Sequence, residues 1–147
     1  MAFDTEESLD QLIAAFEDGT WPVSQWKHAH HLAMATCYIL RYGRDEALRR
    51  ARVDIAKYNE AQGGKNTEDG GYHETLTVFW MDLVAANMPA GKSRVEAVRH
   101  VIDQLASKRD VWRDYYSFDV VKSREARAAY IKPDREVGGA GGNRTPE

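Results

Sequence analysis

Trp26-Lys27-His28-Ala29-His30-His31-Leu32-Ala33-Met34-Ala35-Thr36-Cys37-Tyr38-Ile39-Leu40-Arg41-Tyr42-Gly43 holds the densest combination of apolar periodicity and reactive side chains in this chain. His28, His31, Leu32, Ala35, Ile39 and Tyr42 recur every three or four residues, the spacing that lines up side chains on one face of an α-helix. Trp21-Pro22 forces extended backbone ahead of it, Ser24 is available as N-cap, and Gly43 can adopt the left-handed conformation that ends a helix. A helix over 24–42 is therefore expected.

Working outward from this helix, the same period recurs on both sides. Leu9, Leu12, Ile13 and Phe16 form an earlier stripe, with Asp4 or Thr5 as N-cap and Gly19 as stop. Leu48, Ala51, Ile55 and Tyr58 mark a third helix from about Asp45 to Ala61, with Arg49, Arg50 and Arg52 mostly on its solvated side. The polar run Gln62 to Gly71 reads as a loop. A fourth helix is expected from Tyr72 to about Asn87, where His73, Leu76, Thr77, Trp80, Leu83 and Val84 share a face and Pro89 closes the run. Ser93 with Glu96 is a capping box for a fifth helix carrying Val98, Val101, Ile102 and Leu105. Beyond Arg109 the aromatic residues Trp112, Tyr115, Tyr116 and Phe118 imply a segment that folds back on the core, and Ser123 can cap a short helix to Ile131. No alternating β-pattern and no repeat is present. The expectation is an all-α, single-domain bundle of five to six helices over residues 1–136, followed by a disordered glycine-rich tail over 137–147.

The bulk numbers agree with one packed domain and exclude several classes of function. The chain has 147 residues, 43% of them hydrophobic and 29% charged, enough to bury one core. Its formal charge of −3, with basic residues scattered among acidic ones, offers no stripe for a phosphate backbone, so nucleic acid is not an expected partner. Cys37 is the single cysteine, which excludes an intramolecular disulfide and a cysteine-based zinc cage, fits a reducing compartment, and reads as a buried inert thiol. The acidic N-terminus lacks a leader pattern and no stretch could span a bilayer, so a cytoplasmic protein without membrane association is expected.

Histidine is where chemistry enters. His28 and His31 project from neighbouring turns of one face, and His73 is in phase with Leu76, Thr77 and Trp80 on the fourth helix. Two imidazoles on one helix and a third on another can supply three nitrogen ligands to zinc, iron or manganese and leave a position open for water or a small-molecule substrate. In that reading Glu74 completes the ligand set or acts as general base. Without a metal, His28 or His73 serves as general base, oriented by Glu74 or by a tyrosine hydroxyl such as that of Tyr72. Two non-enzymatic alternatives stand beside these: a ligand-binding or sensing bundle with an aromatic pocket, and core histidines satisfied by Thr77, Tyr38 or backbone carbonyls. Trp26, Trp80, Trp112, Tyr115 and Tyr116 fit a pocket or a core. His30 and His100 lie off the apolar stripes and are expected to be peripheral, their replacement by alanine close to neutral.

Three segments, Trp26 to Leu32, Gly71-Tyr72-His73-Glu74-Thr75-Leu76-Thr77, and Ala126 to Asp134, together resemble a widespread family of small bacterial proteins. In that family an aromatic-x-His-x-x-His-Leu/Val segment, a Tyr-His-Glu-Thr-Leu-Thr segment and a terminal Tyr-Ser…Ala-Arg…Pro-Asp segment recur in this order. The resemblance extends to Arg135, which stands where the family tends to have leucine. It implies that His28, His31, Tyr72, His73, Glu74, Thr75 and Thr77 belong together and leaves His30 outside. It supplies no reaction.

Overall fold

The computed structural model describes residues 3–135, and every regular element among them is helical. The segment 137–147, expected to be a disordered tail, lies outside the described residues. α1 (Glu6–Asp18) starts at Thr5, whose hydroxyl accepts from the Ser8 N–H while the Ser8 hydroxyl accepts from the Thr5 N–H. It stops at Gly19, where φ is 76° and a Cβ would come within 2.5 Å of the Ala61 Cβ, so both backbone and space select glycine.

After Pro22 the chain makes one 3₁₀ turn, Val23–Gln25, and then α2 (His28–Tyr42). The expected start at Ser24 is therefore too early. Trp26 and Lys27 are extended, and the Trp26 indole stacks on Phe16 with ring centroids 5.0 Å apart. That contact fixes the chain ahead of the helix in a non-helical course. All residues from Leu32 to Tyr38 are buried, so the middle of α2 is covered on all sides. The Thr36 hydroxyl is satisfied by donating to the Leu32 carbonyl at 2.8 Å.

α3 (Arg44–Ala61), α4 (Glu74–Ala86) and α5 (Arg94–Leu105) pack around α2, and α1 touches α2, α3 and α5. Phe16, Leu32, Ala35, Leu48, Val78 and Val84 belong to the cluster that joins α1 to α4. Leu9, Leu12, Ala33, Cys37 and Val98 fill the space between α1, α2 and α5. Fully burying one such side chain is worth about 1.5–3 kcal/mol. Burial pushes the Cys37 thiol up to about 11, with Arg94 partly opposing, in keeping with the inert thiol expected.

The segment from Val111 onward closes over α4. A 3₁₀ turn, Val111–Asp114, delivers Trp112, which packs with Tyr116 and Val120 against Phe79. α6 (Arg124–Ala128) is capped by Ser123 as expected, but it ends three residues before Ile131. The cause is Thr75, which is fully buried on α4: its hydroxyl donates to the Ala129 carbonyl and accepts from the Ile131 N–H, both at 3.0 Å. The chain leaves the helix with extended backbone at Ala129, and both demands of that hydroxyl are met. Farther along, Asp134 accepts from the Ser117 N–H and hydroxyl, and the Tyr116 hydroxyl donates to the Ile131 carbonyl. No helix among the described residues is long and apolar enough to cross a membrane.

Candidate functional site

A cavity of about 540 Å³ opens between α2, α3, α4, the loop before α4 and the turn after α5. This is within the usual range of small-molecule sites. Its apolar wall includes Leu32, Ile55, Leu76, Trp80, Met81 and Trp112, and its polar wall includes His28, His31, Tyr72, His73, Arg109 and Asp110. The three histidines that helical phase singled out thus reach one cavity. Their environments differ.

His28 is the first residue of α2 and half-buried, with its ring edge-on to Trp80 at 4.5 Å between centroids. Its Nε2 is buried with no hydrogen-bond partner among the described residues. His31, one turn on, is accessible from the cavity although protein surrounds it closely, and its ring meets the edge of Trp26 at 5.4 Å. Burial, then the neighbouring His28, His30 and Arg109, lower His31 to about 4. Burial and Arg109 also lower His28, against the Leu105 backbone carbonyl, which raises it. Both imidazoles are therefore neutral near physiological pH, each with one donor and one acceptor nitrogen.

His73 is buried and has a different task. It is not inside a helix but caps α4: its backbone is extended and its Nδ1 accepts from the Leu76 N–H at 3.2 Å. With Nδ1 an acceptor, Nε2 carries the proton and donates to the Val120 carbonyl at 2.8 Å. Both ring nitrogens are engaged. Burial is the main cause that holds its pKa down. Among the described residues no group of three His, Cys, Asp or Glu side chains is disposed to hold a metal ion.

Glu74 is outside the cavity wall and turns toward α3. Its carboxylate accepts from Arg52 at 2.8 to 3.2 Å and from the Tyr72 hydroxyl at 2.7 Å. Tyr72 thus lines the cavity while its hydroxyl is tied to Glu74. Burial, helped by that hydrogen bond, raises the Tyr72 pKa. The loop holding Tyr72 is ordered by Asn66, whose Oδ1 accepts from the Tyr72 N–H and whose Nδ2 donates to the Ala56 carbonyl. Arg127 of α6 clamps the same loop by donating to the Gly71 and Tyr72 carbonyls.

His100 is exposed on α5, as its phase implies. His30 is off the cavity, also as expected, but it is not idle. Its Nδ1 accepts from the Lys27 N–H at 3.0 Å, and its ring sits within 5.4 Å of Phe3, Trp21 and Trp26. The expectation that His30→Ala is neutral gives way to a modest loss of stability. Trp80 and Trp112, two of the aromatic residues expected to fit a pocket or a core, line the wall, whereas Arg109 and Asp110 are wall residues that the sequence did not single out. They follow the end of α5, where no period remains, and reach the cavity through the turn that folds the chain back. No family model matches the chain, and no match is found among curated proteins or among solved structures.

Proposed function

We propose that the protein binds a small organic molecule in the α2–α4 cavity and that His28 and His31 are the groups that meet it. The observation that carries this is the pair of neutral imidazoles on adjacent turns, one accessible in the cavity and one whose buried Nε2 makes no hydrogen bond among the described residues, beside an apolar wall. A ligand donor or acceptor would satisfy that nitrogen. If the ligand is a substrate, His31 is the proton acceptor and His28 its neighbour in metal-independent acid–base chemistry. Glu74 and Tyr72 then shape the rim, since their polar atoms are already paired with each other and Arg52.

A second reading keeps a metal. The unpartnered Nε2 of His28 is a possible ligand atom, with His31 on the next turn as the second and water or substrate completing the shell. His73 joins such a set only by giving up the α4 cap or the Val120 bond.

One experiment separates the two: histidine side-chain nitrogen NMR, with a library of small aromatic and aliphatic fragments in excess chelator, then with zinc, iron(II) or manganese(II) alone. The binding reading expects fragments that move the His28 and His31 resonances and leave His100 in place. Fragments that move no cavity histidine overturn it. The metal reading expects resonance changes and a higher melting temperature with metal, both lost in His28→Ala and His31→Ala. Identical spectra and melting curves with metal and with chelator overturn that reading.

A further inference from the structure

Resting on the small-molecule reading, we propose that the ligand is a monoanionic amphipathic acid, its charged end held by Arg109 beside His28 and His31 and its apolar part against Trp80, Leu76 and Met81.

Arg44, Arg49, Arg50, Arg52, Arg94 and Arg124 each pair with a carboxylate. Arg127 and Arg135 donate to backbone carbonyls, Arg113 lies over the Trp112 ring at 4.5 Å and Arg41 over the Tyr42 ring at 5.3 Å, and Arg99 is exposed on α5, away from the cavity wall. Arg109 lines the cavity, and no ion pair joins it to any carboxylate among the described residues, its neighbour Asp110 included. It is close enough for its charge to act on both His28 and His31. A planar guanidinium with neutral imidazole N–H groups nearby is a fitting receptor for a carboxylate, which can take two parallel hydrogen bonds from arginine.

The rest of the wall limits the choice further. Among the described residues it contains no lysine and no second arginine, and it carries one carboxylate, Asp110. A polyphosphate would find too little positive charge there. Trp80, beside His28, and Leu76 and Met81 give the same wall an aromatic ring and aliphatic chains, which suits a ring or short alkyl tail.

The test uses three probes of one shape, phenylacetate, phenylacetamide and phenethylamine, titrated into the full chain in chelator and followed by the His28 and His31 ring resonances. The expected result is that the acid binds at least about tenfold tighter than the amide, that the amine is weakest, and that Arg109→Gln brings acid and amide to equal affinity. Arg109 is exposed and joins no ion pair among the described residues, so Arg109→Gln should keep the native melting temperature, which is measured alongside. Equal affinity of acid and amide in the native chain, a preference for the amine, or an unchanged preference in Arg109→Gln overturns the anion assignment. In those cases the shifted histidine resonances still uphold the cavity as a binding site. If none of the three probes moves His28 or His31 at millimolar concentration, the anion assignment falls and the fragment screen decides the binding reading.

Discussion

Replacing His73 by alanine removes the acceptor for the Leu76 N–H and the donor to the Val120 carbonyl together. The expected loss is about 2 kcal/mol, one part from the cap and one from the buried bond. His73→Asn restores a capping oxygen and should recover about half of it. Urea unfolding in excess chelator measures both, and a full native midpoint for His73→Ala under chelation would show that the ring is not holding α4. At this residue the periodic reading went only partway. Phase placed the side chain correctly toward the interior, but a cap and a first-turn residue share almost the same direction, so phase could not reveal that Nδ1 is used by the backbone. His31 gives a second residue-scale prediction. Its folded pKa of about 4 lies below the unfolded value of 6.5, so the unfolded chain binds more protons between them. Stability is complete above about 6.5 and declines as the pH falls toward about 4. His28, His30 and His73 are shifted in the same direction and steepen the decline. Urea midpoints across this range should fall with acidity, and His31→Gln should flatten the curve; a midpoint independent of pH would refute it.

Elements whose ends are written in local chemistry were legible in advance, and those whose ends depend on distant contacts were not. Thr5, Gly19, Ser93 with Glu96, and Ser123 act within a few residues of themselves, and each bounds a helix where expected. The start of α2 depends on Trp26 stacking on Phe16, and the end of α6 depends on Thr75 far back in the chain. Neither has a local signal. Part of the candidate site was visible for the same reason: His28 and His31 follow the period of α2, whereas Arg109 and Asp110 arrive on a turn. The loop before α4 supplies a test at this scale. Gly71 has φ of 83°, and a Cβ there would come within 2.5 Å of the Lys65 carbonyl oxygen and 2.6 Å of the Asn66 Oδ1. Gly91 has φ of 71° but open space around it. Gly91→Ala should therefore cost about 1 kcal/mol from backbone strain alone. Gly71→Ala should cost more and shift the Tyr72 and His73 resonances. Equal losses in thermal unfolding would mean that the Asn66 contact does not constrain the loop.

Across the whole molecule, residues 111–135 act as a strap: they bring Trp112 and Val121 to the cavity, cover Phe79, and accept or donate the bonds of His73, Thr75 and the loop at Gly71–Tyr72. A chain cut after Arg109 should keep much of its helix content by far-ultraviolet dichroism, lose near-ultraviolet signal and bind a hydrophobic dye, the pattern of lost specific packing. Retention of a sharp, cooperative melting transition would show the strap to be dispensable. The strap also has a consequence during protein synthesis. The His73 ring and its acceptor carbonyl on Val120 are 47 positions apart. At ribosomal speeds of about 5–20 residues per second, that separation is an interval of about 2 to 10 seconds. Throughout it, α1 to α3 are already made, while the cavity lacks a side and the buried hydroxyl of Thr75 has no carbonyl to meet. The nascent protein thus passes through a stage with an open apolar cleft between finished helices, and its binding site is the last part to be completed.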